Sequence, residues 1–385
     1  MLFKDIYGHK NTIKNFIDAE KKNRISHAQL FLGQEGIGKI SLAIAFAQYL
    51  NCENPKENDS CGECKSCKKY AKIAHPDLHF VYPVVKTASI SKPVSLDYIN
   101  KWREFILKSK FHSYNEWLEF IGTDNLQGSI YAQESQEIIR IINLKTFEAK
   151  YKVLIIFMPE KMNISAANKL LKAIEEPPPN SLFILISEDE SSILTTIRSR
   201  TQLIKLNSLS NNEIISALKE EFPETDKSIM EDATKIAAGN YIYARQILSQ
   251  DNNSEENSFF KNFDYFTELM RSSFSGNFSE MVDLVEKLSK LGREKQKSFI
   301  EYSLRYLREN FIFHSVPQNS NLNYLTKKEA DFSKNFSKFI HSKNISQLFE
   351  EFNKAYFDIT RNASPKILFL DLALKISRYL KIKES

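Results

Sequence analysis

Ala28-Gln29-Leu30-Phe31-Leu32 is a short, nearly continuous apolar run, the pattern of a buried strand, and Ser41 to Leu50 (SLAIAFAQYL) predicts a helix packed on a sheet. Tyr151 to Phe157 is again continuous and rich in β-branched residues, which predicts a parallel strand covered on both faces. Beyond it, Asn163 or Ser165 caps a predicted helix that must stop before Pro177-Pro178-Pro179, and Ser181 to Ile186 predicts a further strand. Gln133 to Asn143 and the whole of residues 211 to 238 read as helical. Strands alternating with helices predict an α/β core.

The pattern changes along the chain. Met281, Leu284, Val285 and Leu288 keep helical spacing, as do residues 299 to 313 and 366 to 380, so the C-terminal third is predicted to be all helix. The polar run Ser249 to Ser258 before it is the best domain boundary. Residues 83 to 130 mix Pro83, Pro93, Trp102 and Trp117 with many polar residues and have the character of an insertion. Trp102, Phe105 and Ile106 suggest some helix in it, but no function.

Between the first strand and its helix lies Gly33-Gln34-Glu35-Gly36-Ile37-Gly38-Lys39-Ile40. A phosphate-binding loop, G-x-x-x-x-G-K-[ST], turns backbone N–H groups toward a phosphate. Its lysine reaches the terminal phosphates and its hydroxyl holds magnesium. Ile40 stands where that hydroxyl is needed. Ser41 is one residue late, about 100° around the helix. At the end of the strand Tyr151 to Phe157, where such ATPases carry an aspartate for magnesium and often a glutamate for the attacking water, the chain has Phe157 and Met158, then Pro159 and Glu160. Two separate parts of the metal site are missing, which argues against hydrolysis.

All four cysteines fall within one stretch, as Cys52-x8-Cys61-x2-Cys64-x2-Cys67. The two C-x2-C steps have the spacing of a tetrahedral zinc knuckle, and with four protein ligands the site is closed and therefore structural. Disulfides are the competing reading, disfavoured in a cytoplasmic chain.

Composition adds bounds. A length of 385 residues suggests two or three domains, and 42% hydrophobic with 26% charged residues is ordinary for a soluble protein. The N-terminus MLFKDIYGHK has charges where a signal peptide needs its apolar stretch, and the longest apolar run, Val153 to Met158, is far short of a membrane span. The expected location is cytoplasmic, with no membrane contact. A net charge of +5 permits nucleic-acid contact without arguing for it.

The runs HAQLFLGQEGIGK, KMNISAANKLLKAIEEPPP and TIRSR, with the four-cysteine insert directly after the P-loop helix, together resemble the clamp-loader branch of the AAA+ ATPases. Within it they resemble the delta-prime family of bacterial DNA polymerase III. The resemblance covers roughly Met1 to Leu248. It implies an α/β P-loop AAA+ domain over 1–206, with a zinc-binding module at 52–67 and an insertion at about 83–130. It further implies a small helical lid over 207–250 and an all-α collar over 259–385 that holds five subunits together.

It also implies a degenerate nucleotide loop (Gly33, Gly36, Gly38, Lys39) without turnover, and structural Zn2+ on Cys52, Cys61, Cys64 and Cys67. The family's Ser-Arg-Cys motif projects an arginine into a neighbour's ATP site; here it reads Ser199-Arg200-Thr201, so the arginine is kept and the cysteine is not. Ile242 falls where active relatives carry a sensing arginine in the lid, with Arg245 three residues on. The implied partners are gamma/tau and delta subunits, and the sliding clamp and primed DNA through the complex. The chain is then no enzyme by itself but part of the polymerase holoenzyme.

Other readings stand beside this one. An ATP-hydrolysing motor of the gamma/tau kind would need Ser41 or Glu160 to cover for the lost groups. A zinc-dependent DNA-binding protein has only Lys65, Lys68, Lys69 and Lys72 in its favour, and a solvated helix face is the commoner explanation for such a cluster. Arg200, taken without the resemblance, reads as a surface ion pair.

Overall fold

The structure, a computed structural model, describes residues 1–87, 90–123, 126–249, 258–316 and 324–383. Strands β1 (Ala28–Leu32), β2 (Leu78–Val81), β3 (Lys152–Phe157), β4 (Ser181–Ser187) and β5 (Gln202–Lys205) form one parallel sheet in the order β2-β3-β4-β1-β5. The continuous apolar runs are the three central strands, where both faces are covered. Leu30 pairs with Leu185, and Leu154 with Phe183. On one face Leu30, Leu154, Phe183 and Leu185 meet Ile138 and Ile142 of the helix Glu134–Asn143 and Leu170 and Ile174 of the helix Ile164–Glu175. On the other, Phe31 stacks on Phe16 (ring centroids 5.4 Å apart), which stacks on Phe46 (4.1 Å) of the fully buried helix Lys39–Leu50.

The helix Ile164–Glu175 is capped by Asn163, whose side chain accepts from Ser165 N at 2.8 Å, and it ends before Pro177. The stretch 211 to 238 is not continuous: helices Asn211–Glu221 and Lys227–Ala237 are separated around Pro223, which has no N–H to donate.

The excursion after β2 is closed by an antiparallel bridge between Val84 and Ser129 and contains the helices Ile99–Lys108 and Tyr114–Phe120. Its two tryptophans are fully buried. Trp102 stacks on Tyr82 at 3.9 Å, meets Trp117 edge-on at 4.9 Å, and lies 5.8 Å from Phe157. The excursion therefore folds over the C-terminal end of β3.

The chain divides into two compact units. The first holds Met1–Thr123, Gly128–Thr225 and Gly239–Tyr243; the second holds, among the described residues, Leu126 and Gln127, Asp226–Ala238 and those from Ala244 onward. Helices Lys227–Ala237, Ser258–Ser275, Phe278–Ser289, Arg293–Ser315, Lys327–Phe336, Ile345–Thr360 and Pro365–Tyr379 lie in the second unit, and it has no strand among the described residues. Residues 250–257 of the polar run Ser249 to Ser258 lie outside the described residues. No described helix is long and apolar enough to cross a membrane.

Candidate functional site

Parallel strands put their C-terminal ends on one side of the sheet, and the glycine loop leaves β1 there. Gly36 (φ +72°) and Gly38 (φ +81°) take the left-handed backbone the turn requires, and the helix begins at Lys39. The Lys39 side chain is only 5% exposed. Its Nζ donates to Gly33 O at 2.7 Å, Gln34 O at 2.6 Å and Glu188 Oε1 at 3.3 Å. Burial holds the Lys39 ammonium below its usual pKa while Glu188 opposes that effect. The donors that would meet a terminal phosphate are turned onto the loop's own carbonyls.

Ile40 is buried beside it. Ser41 Oγ donates to Lys110 O at 2.6 Å. At the end of β3, Phe157 and Met158 are buried too, and Met158 has φ +56°. Neither offers an oxygen to a cation. Burial raises the nearby Glu160 carboxyl to about 7, and its Oε2 has no hydrogen-bond partner among the described residues.

The four cysteine sulfurs all lie within 4.8 Å of one another. Cys61 to Cys67 is 3.8 Å and Cys67 to Cys52 is 3.6 Å. Four sulfurs about 2.3 Å from one tetrahedral ion would be separated by about 3.8 Å, so the donor set fits a metal of that size. Backbone N–H groups point at the sulfurs: Cys61 N to Cys52 Sγ at 3.2 Å, Cys64 N to Cys61 Sγ at 3.3 Å and Cys67 N to Cys64 Sγ at 3.4 Å. Cys64 thereby caps the helix Lys65–Ala71. Asp59 ties the module to the N-terminus, accepting from Phe3 N at 3.0 Å and Lys4 N at 3.1 Å. Among the four lysines here, Lys69 is paired with Glu148.

Arg200 lies elsewhere. It follows the short helix Thr195–Arg198 and precedes β5, and its Nε is 2.5 Å from Glu175 Oε1, with both side chains about two-fifths exposed. One terminal nitrogen donates to Thr196 O at 3.1 Å. Gln202 pairs with Gln29 in parallel register, so Arg200 stands beyond the N-terminal end of β1 while the loop begins at its C-terminal end. The five residues of β1 separate the two ends, roughly 16 Å. Gly33, Gly36, Gly38 and Lys39 are thus together in one loop and the four cysteines in one cluster, with Arg200 far from the loop. In the lid region Ile242 is buried, and Arg245 follows on the same helix.

Glu188, Asp59 and Lys110 had escaped the sequence reading. Each acts through a contact distant in sequence, and none carries a motif.

The fold and the loop define an α/β protein with a P-loop-like turn in which Ile40 stands where the motif has Ser or Thr. The chain belongs to the family described as DNA polymerase III, delta subunit, which matches residues 8–210. The tau subunit of DNA polymerase III from Bacillus subtilis is 24% identical over 97% of this chain and 61% of its own length. The delta-prime subunit of Pseudomonas aeruginosa is 28% identical over 58% of this chain and 56% of its own. That of Bacillus subtilis is 30% identical over 54% and 50%. The chain thus spans between about half and three-fifths of these relatives.

Proposed function

We propose that the chain is the non-hydrolysing, delta-prime-type subunit of a DNA polymerase III clamp loader. The observation that carries this reading is the loop itself. Apolar Ile40, Phe157 and Met158 occupy the places of magnesium-binding groups, and Lys39 is satisfied by Gly33 O, Gln34 O and Glu188. The motor reading needs Ser41 or Glu160 to substitute. Ser41 is committed to Lys110 O, and Glu160, shifted to about 7, is half protonated at neutral pH.

In this role the chain is one member of an AAA+ ring with gamma/tau and delta subunits in the cytoplasm, and the ring places a sliding clamp on primed DNA. The proposed parts are the P-loop domain (1–206), a lid (207–250) and a helical collar (259–385). Zinc on Cys52, Cys61, Cys64 and Cys67 supplies no chemistry beyond holding the segment after the P-loop helix, since four thiolates leave no open position. Arg200 acts in trans. Its distance from the chain's own loop supports service to a neighbour, where a guanidinium stabilises charge on the transferring phosphoryl group.

The test is reconstitution with gamma/tau and delta subunits. The isolated chain is expected to release no phosphate from ATP, while the complex depends on it for hydrolysis. Magnesium-dependent turnover by the isolated chain would overturn the reading.

A further inference from the structure

The excursion at about 83–130 has no role in the reading above, yet it reaches the glycine loop. Lys110 O accepts the Ser41 hydroxyl, and a Cβ built on Gly38 would lie 3.5 Å from the Phe111 ring and 3.6 Å from Lys110 O. Phe111 stacks on Tyr241 with centroids 4.0 Å apart and planes 21° apart, and on Tyr7 at 6.0 Å and 25°. The Phe111 ring runs nearly parallel to both tyrosine rings, beside the first turn of the P-loop helix. Each flanking tyrosine is anchored: the Tyr7 hydroxyl donates to Glu220, and that of Tyr241 to Glu221 at 2.6 Å. Lys110 Nζ reaches Glu220 at 3.0 Å and lies 4.9 Å over the Tyr7 ring.

A nucleotide on a P-loop puts its terminal phosphates on the lysine and its inner phosphates on the backbone N–H groups at the helix start. Its base then lies past the first helical turn, and bases are held by aromatic stacking. The chain places groups of its own along this path. Gly33 O, Gln34 O and Glu188 take Lys39, Lys110 O takes Ser41 at the first turn, and the Phe111 ring packs on Tyr241 with Tyr7 close by.

We infer that the segment Ser109–Phe111 is a built-in plug that occupies the place of an adenine nucleotide, with the Phe111 ring standing for the base. This rests on the degenerate-site reading and extends it, because missing magnesium ligands abolish turnover but do not by themselves prevent binding. It assigns the excursion a task, which is to keep the loop closed in one conformation whatever the nucleotide concentration. Beyond Phe111 a cleft of about 530 Å³, lined by Tyr7, Lys108, Lys110, Glu220 and Tyr241, adjoins the ring. Phe111 itself lines this cleft, so removing its ring would enlarge it, and its size is already in the range of small-ligand sites.

The experiment is ADP binding by calorimetry to the full chain, with and without EDTA, comparing wild type, Phe111→Ala and Phe111→Leu. Each variant is first checked for a cooperative melt, and if Phe111→Ala does not fold, Phe111→Leu carries the test. The wild type is expected not to bind up to the millimolar range. A stacked base should give Phe111→Ala a gain of about tenfold or more, with a smaller gain for Phe111→Leu. EDTA should change nothing, since no side chain here holds magnesium. Wild-type binding as tight as the variant's, or folded variants that all fail to bind, would overturn the plug and leave the non-hydrolysing reading intact. ATP turnover, measured on the same samples, is what would remove that reading.

Discussion

Arg200 Nε lies 2.5 Å from Glu175 Oε1, so the arginine proposed to serve a neighbouring site is held by the last residue of the helix that the proline triplet terminates. The pair is exposed. It orients the guanidinium more than it stabilises the fold, since exposed ion pairs are worth about 0–1 kcal/mol.

Arg200→Ala is therefore expected to leave the melting behaviour and assembly of the complex unchanged, while the adjacent site loses on the order of 10³ in rate. Arg200→Lys should rescue poorly, because an ammonium lacks the planar fork. Glu175→Gln should retain most of the rate. Site-resolved hydrolysis in the reconstituted complex is the measurement, and wild-type turnover beside an Arg200→Ala subunit would reduce Arg200 to the surface ion pair.

The four thiolates predict one equivalent of zinc per chain, read by elemental analysis of protein purified without chelator. Cys64→Ser should lose the metal and lower the melting temperature, because metal binding and folding are coupled. The N-terminus should loosen with it, since Asp59 holds Phe3 and Lys4 from within the module. Metal-free wild-type protein with unchanged stability would remove the claim.

Lys39→Ala should separate structure from catalysis. Leaving Gly33 O and Gln34 O unpaired costs roughly 1–3 kcal/mol in a urea melt. Clamp loading by the reconstituted complex should stay near wild type. A large loss of loading in a folded Lys39→Ala complex would favour the motor reading.

The Glu160 carboxyl sits at about 7 when folded, against about 4.3 in an unfolded chain. The folded state therefore binds the proton more tightly. That contribution to stability is full below the unfolded value and is lost as pH rises through about 7. Glu160→Gln keeps the neutral form at every pH, so its stability relative to wild type should rise between about pH 5 and 8. Glu134, also raised to about 7, is present in both proteins and cancels. Denaturant midpoints that differ by a constant over this range would disprove the assignment.

The legible parts of the chain are those whose signal is local. β1, β3 and β4 are central strands, so burial on both faces wrote continuous apolar runs into the sequence. β2 and β5 were not read, since each has four residues, lies at a sheet edge, and in β5 is half exposed. The cysteine cluster was legible because turn geometry dictates ligand spacing. The break at Pro223 is hidden in the pattern, because apolar periodicity resumes beyond it. The Phe111 contact with the glycine loop could not be seen at all, since it joins residues about seventy positions apart in an excursion with no motif.

The placement of Arg200 and the glycine loop at opposite ends of the same strands makes the chain directional. A head-to-tail array of subunits carries a donor edge and a receiving edge on every member. On the reading proposed above, the receiving edge is blind. On the proposed reading such a chain would complete its neighbour's reaction centre and ask for nothing in return, so in a ring it would mark one fixed point at which the succession of firing sites stops.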